Sequence, residues 1–124
     1  MSDVSELPPN IQERLLRMQQ LQRNLQTILA QKQQVEHEAT ETEQALTELG
    51  TMTPEATIYK SIGALLVKSE KGKVETELKE RKELLTTRTQ VLGKQEERLR
   101  TQLNELQAKL KRDLASSSPA PSPF

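Results

Sequence analysis

The residues that could do covalent or acid–base chemistry are few. The 124-residue chain has no cysteine and one histidine, His37. Without thiols there is no disulfide frame, no thiolate nucleophile and no zinc–thiolate site. His37 lies between Val35 and Ala39 on the outward side of a helical stretch, where an isolated imidazole is expected to be a solvated residue. Glu36, Glu38, Glu41 and Glu43 lie close by, but helical geometry points them in different directions, as on a solvated face rather than in a cation cage. No nucleophile–base pair, glycine-rich phosphate loop or ligand cluster stands out, so no enzyme, cofactor or metal is expected. The chemistry left is that of apolar surface. Ile58, Tyr59, Ile62, Leu65, Leu66 and Val67 crowd into ten residues around Gly63-Ala64. A second apolar set, Leu7, Pro8, Pro9, Ile11, Leu15, Leu16, Leu110 and Leu114, lies near the two termini.

Composition limits what can position these groups. Only 33% of residues are hydrophobic and 2% aromatic, with one Tyr, one Phe and no Trp, so a wide globular core cannot be filled. Nineteen leucines nevertheless exceed what a disordered chain would carry, and a Leu-, Glu-, Lys-, Arg- and Gln-rich chain favours helices that bury a stripe. Eighteen basic and eighteen acidic residues cancel, which argues against a globally basic nucleic-acid binder. Nowhere do enough apolar residues run together to span a membrane. The opening Met1-Ser2-Asp3-Val4-Ser5-Glu6 lacks the basic and apolar regions of a secretory signal, so a cytoplasmic location is expected.

Two long helices are predicted. Residues 10–49 hold no Gly or Pro, and Asn10 with Glu13 reads as a capping-box variant. Steps of three and four run through Ile11, Arg14, Met18, Leu21, Leu25, Ile28, Lys32, Val35, Ala39, Thr42, Leu46 and Leu49, nine of the twelve apolar, which is a coiled-coil seam. Gly50 stands where a left-handed C′ glycine belongs. In residues 73–114, Leu78, Leu85, Leu92, Leu99 and Leu106 recur every seven residues. Val74 precedes them, and Leu84, Val91, Leu103 and Leu110 are expected to widen that stripe. Glu75→Lys79, Glu77→Arg81, Glu96→Arg100 and Glu105→Lys109 are favourable i,i+4 pairs, each contributing about 0.2–0.5 kcal/mol. Folding the second helix back on the first covers both stripes, so the expected fold is mostly α, a long antiparallel two-helix coiled coil. Residues 1–9 read as a flexible N-terminal arm, 10–114 as the coiled coil, and 115–124 as a disordered Ser/Pro-rich tail.

The connection reads as one β-hairpin at about 57–68, with Gly63 supplying the positive φ of a type II′ turn and Ser69 capping the next helix. A lone two-stranded hairpin is marginal in water. This one carries apolar side chains on both faces and has open edges, and a thin coil cannot cover all of that. Hairpins from several subunits pairing edge to edge would, so Ile58, Tyr59, Ile62, Gly63, Leu65, Leu66 and Val67 are expected to form an oligomerisation element in an intersubunit β-barrel.

The order helix, Tyr59-Lys60-Ser61-Ile62-Gly63-Ala64-Leu65-Leu66-Val67-Lys68, matching helix resembles prefoldin over about residues 7–112, specifically its single-hairpin β-type subunit. The resemblance implies an ATP-independent co-chaperone: α-type subunits and further β-type copies in a hetero-hexamer, non-native client proteins held at the coiled-coil tips, and delivery to a group II chaperonin. It implies no role for the tail from Ala115 onward.

On that expectation Leu7, Pro8, Ile11, Leu15, Leu16, Leu110 and Leu114 form the client-binding tip, because a holdase needs apolar groups that an unfolded chain can cover. The competing reading is that Ile11, Leu15 and Leu110 only finish the coiled coil. Lys109, Lys111 and Arg112 could touch an acidic chaperonin surface, but charge there also suits the helix C-terminus. A leucine-zipper DNA binder would need a continuous basic helix before its zipper, and the hairpin occupies that place. A structural coiled-coil oligomerisation or scaffolding protein without client binding would share the helices, yet has no need of an apolar hairpin.

Overall fold

The computed structural model describes residues 7–117. Residues 1–6 of the expected arm and 118–124 of the expected tail lie outside the described residues. Helix α1 spans Pro9–Gly50, strand β1 Ile58–Ile62, strand β2 Leu65–Ser69 and helix α2 Lys71–Ser117. The helices are 42 and 47 residues long, and they pair as an antiparallel coiled coil with the hairpin between them in sequence.

The start of α1 is set by proline rather than by Asn10. The amides of Ile11 and Gln12 both donate to the Pro8 carbonyl at 3.0 Å, and Gln12 Nε2 donates to the Leu7 carbonyl at 2.6 Å. Pro9 therefore takes the first helical position, where its missing N–H costs nothing and its fixed φ already suits a helix. Asn10 sits inside the first turn, and the expected capping box is not used. The far end also differs from expectation. Among the described glycines only Gly63 has a positive φ, so Gly50 closes the helix without a left-handed turn. The chain tightens instead, with Thr51 N–H to Glu48 O and Met52 N–H to Leu49 O, both at 3.1 Å. The Thr51 hydroxyl adds a 2.7 Å bond to the same Glu48 carbonyl.

The chain divides into two compact units, Met1–Ala30 with Gly93–Phe124, and Gln31–Leu92. In the first, Ile11, Leu21, Leu103 and Leu110 are buried, and Met18, Leu25, Ile28, Leu99 and Leu106 are half-buried. Arg14 pairs there with Asp113. In the second, Val35, Leu49, Leu85 and Leu92 are buried along with Thr42, whose hydroxyl donates to Glu38 O at 2.8 Å and so is satisfied within its own helix. Ion pairs flank this core, Glu38 with Arg81 at 3.6 Å and Glu43 with Lys82 at 3.4 Å.

All twelve seam positions predicted for α1 are buried or half-buried. On α2 the seam is narrower than expected. Leu84 and Val91 are 60% and 48% exposed, because each precedes a seam leucine by one residue and so points about 100° away from it. Half-buried Thr89 and Glu96 take the alternate seam positions instead. Leu103 and Leu110 are buried as predicted. Of the helical ion pairs, Glu96 holds Arg100 at 2.9 Å, whereas Glu77 turns to the hairpin and Arg81 to Glu38.

Candidate functional site

The hairpin is regular. Strand β1 runs antiparallel to β2 in the register Ile58–Ser69, Tyr59–Lys68, Lys60–Val67, Ser61–Leu66 and Ile62–Leu65. Gly63 adopts φ 58° while Ala64 stays at negative φ. Positive φ at the first central residue alone is the type II′ condition, and type I′ would need it at both. Ser69 lies in the ladder opposite Ile58, so it does not cap α2. That role falls to Glu70, whose carbonyl accepts from the Val74 amide at 3.0 Å.

Strand alternation sorts the side chains. Ile58, Lys60, Ile62, Leu65, Val67 and Ser69 share one face, and Tyr59, Ser61, Leu66 and Lys68 the other. Within the single chain Tyr59 is 61% exposed, Ile62 53%, Leu65 67%, Leu66 73% and Val67 42%; Ile58 is half-buried. Apolar groups are thus presented on both faces, and a two-stranded sheet leaves the outer backbone edge of each strand open.

Two lysines fasten this segment. Lys60, a charge within the more apolar face, donates to Glu77 Oε2 of α2 at 2.6 Å. Lys71, the first residue of α2, donates to the Met52 carbonyl at 2.7 Å. The hydrogen bond from Lys60 holds the Glu77 carboxyl below its ordinary value; desolvation opposes this, and the charges of Lys60 and Lys73 reinforce it. Sequence reading missed the Lys60–Glu77 bond because nothing local links residues 17 apart.

The second expected site lies in the unit that contains both helix ends. Leu16 and Leu114 are 63% and 42% exposed, Pro8 is exposed, and Leu7 and Leu15 are half-buried. Ile11 and Leu110 differ: at 0% and 7% exposure they are core residues, unavailable to a ligand while the helices stay paired. Both belong to the seam register, in keeping with the competing expectation that they finish the coiled coil, whereas Leu16 lies outside it. Along the same stretch of α1, Leu16 adjoins a groove lined by Arg14, Arg17, Gln20 and Arg23, with Leu106 from α2. That basic character is invisible in the neutral overall charge. His37 sits on the surface with its Nε2 3.0 Å from Glu41. Among the described residues there is no His/Cys/Asp/Glu group arranged to hold a metal, and no helix is long and apolar enough to cross a membrane.

A coiled coil of two antiparallel helices, joined through one short apolar hairpin, places the molecule among helical subunits that carry an exposed two-stranded sheet. The prefoldin-subunit family model matches residues 12–117, and the chain belongs to the prefoldin family of co-chaperone subunits. It is 41% identical over 114 residues to the prefoldin subunit beta of Methanothrix thermoacetophila, covering 92% of this chain and 95% of the relative. The prefoldin subunit beta of Saccharolobus islandicus is 46% identical over 116 residues, covering 94% and 92%. The crystal structure of the prefoldin beta subunit from Thermococcus strain KS-1 superposes with a TM-score of 0.81 at 37% identity, covering 96% of this chain and all of that one.

Proposed function

We propose that this chain is a β-type subunit of a hetero-hexameric, ATP-independent co-chaperone of the cytoplasm. Its hairpin adds strands to those of α-type subunits and of further copies of itself, in β-barrels shared between subunits. Its helix ends capture non-native proteins and pass them to a group II chaperonin. The observation that carries this reading is the hairpin: five large apolar side chains exposed on ten strand residues, with both sheet edges open. Such a surface is stable in water only when another chain covers it.

Capture at the helix ends follows from multivalency. Leu16, Leu114 and Pro8 offer modest apolar area on any one chain. Several copies held in one assembly act on one client at high effective concentration, so no single contact need be strong. Release then occurs when a competing acceptor binds the client, with no chemical step in the subunit itself.

The test is the mass of the chain alone and mixed with an α-type subunit, followed by suppression of client aggregation without ATP. A larger assembly that appears only with the partner, and that protects the client, is expected. A monomer that ignores the partner and protects nothing would leave only a scaffolding coiled coil.

A further inference from the structure

The two units do not share the neutral charge of the whole chain. Residues 1–30 and 93–124 hold nine basic and seven acidic side chains, whereas residues 31–92 hold nine and eleven. The basic excess of the first unit has a shape. A groove of about 730 Å³ runs beside α1 from Asn10 to Arg23, with Leu106 of α2 in its wall. Its lining includes three guanidiniums, Arg14, Arg17 and Arg23, against one carboxylate, Glu13. Arg14 is already paired with Asp113. Arg17 reaches only Gln20 Oε1, at 3.4 Å, and Arg23 has no acidic partner among the described residues. Leu16, in the same lining, stands 63% exposed. A smaller depression shares Arg17 and Leu106 and adds Lys109 with Glu105, so the unbalanced charge stays with Arg17 and Arg23.

We propose that this groove binds segments of non-native chains that combine a large apolar side chain with acidic neighbours. The apolar side chain lies against Leu16 and Leu106, and the flanking carboxylates meet Arg17 and Arg23. Thirteen helical steps from Asn10 to Arg23 give the groove a length of about 20 Å, which is spanned by roughly six extended residues. The occupant is defined by charge complementarity: a purely apolar segment would leave two desolvated guanidiniums without partners, and a basic segment would be repelled by them. A nucleic acid would find cations but no aromatic side chain in the groove to stack on. The inference rests on the reading of this unit as the client-binding one, and it names the class of client segment.

The experiment compares two labelled peptides of about twelve residues, long enough to overfill the groove. In one, leucines are interspersed with aspartates; in the other, with lysines. Both are titrated onto the full chain, alongside an unfolded protein and a DNA oligonucleotide. The aspartate peptide is expected to bind about fivefold more tightly, the size of effect two exposed ion pairs supply. Arg17→Gln with Arg23→Gln should erase that preference, and Leu16→Ser should weaken the aspartate peptide without changing the helical circular dichroism, since all three side chains are exposed. Equal binding of the two peptides would overturn this inference and leave client capture standing. DNA binding as tight as peptide binding, with Leu16→Ser silent, would reduce the groove to a general anion surface and also overturn it. If neither the peptides nor the unfolded protein binds, client capture fails as well.

Discussion

Replacing Ile62, Leu66 and Val67 together by Asp should separate assembly from folding. The three residues sample both faces of the hairpin, Ile62 and Val67 on one and Leu66 on the other. In the single chain they are 53%, 73% and 42% exposed. Complete burial of such a side chain contributes about 1.5–3 kcal/mol. Scaled by the surface still exposed, the three give roughly 2.5–5 kcal/mol per subunit on assembly, about a hundredfold to several thousandfold in association constant. Desolvating the new carboxylates adds to the loss. The isolated chain should lose less, because under half of that surface is covered within it and the loss is confined to the hairpin. The helices keep their seam, so helical circular dichroism and its thermal midpoint should stay close to those of the parent. By contrast Leu85→Ala, at a position only 2% exposed, should cost about 2–5 kcal/mol and lower the midpoint clearly. The assay is native mass spectrometry across a dilution series with an α-type subunit, run beside the melts. An Asp triple variant that assembles with the parent's mass and concentration dependence would refute the assignment of the hairpin to assembly.

Replacing Leu7, Leu16 and Leu114 by Ser should weaken suppression of client aggregation while the oligomer keeps its mass; unchanged suppression would remove these residues from the client surface. Ile11→Ala should cost about 2–5 kcal/mol in chemical denaturation and Leu16→Ala almost nothing, because Ile11 is 0% and Leu16 63% exposed. Gly63→Val puts a β-branched residue at φ 58° and should destabilise the hairpin by about 1–2 kcal/mol, read as faster amide exchange in the strands. Glu77 has a folded-state pKa below its ordinary value of 4.5. The stability it supplies is therefore present above that value and lost as pH falls through the folded pKa; a carbon-detected NMR titration should show this shift and its disappearance in Lys60→Met.

The elements were legible because each has a strong local signature. The α1 seam could be read residue by residue, polar members Arg14, Lys32 and Thr42 included, since a period of 3.5 persists for forty residues and no competing period is present. The two-residue turn was legible from Gly63 between β-rich runs, and the observed strands differ from the expected span by one residue at each end. Features set by rotation or by distant partners were not legible. Leu84 and Val91 look like core by type, yet their place on the wheel turns them outward. Ile11 and Leu16 are both apolar residues near a terminus, and it is the seam register, which includes Ile11 and omits Leu16, that tells them apart. The helix starts were misplaced for a local reason: Pro9 offers a better first residue than Asn10 offers a cap, and the β ladder claims Ser69 before α2 can use it.

The polar members of the seam also bear on why the helices pair with each other rather than with other chains. A stripe of leucines alone would accept a partner in either orientation and from any molecule. In the unit holding the helix ends, Arg14 and Asp113 both lie in the seam and meet each other across it. A parallel partner or a shifted register would leave each of these charges half-buried without a counter-ion, which costs far more than the pair itself contributes. In the other unit Glu38 with Arg81 and Glu43 with Lys82 flank the core and match charge only in the antiparallel arrangement. Thr42 weakens the seam's apolar attraction at a fully covered position while keeping its hydroxyl satisfied. These choices lower the affinity of the stripes for arbitrary apolar chains. The helices then serve as a stable support, and the hairpin with Leu16 and Leu114 keeps the exposed apolar area that the proposed assembly and client contacts would use.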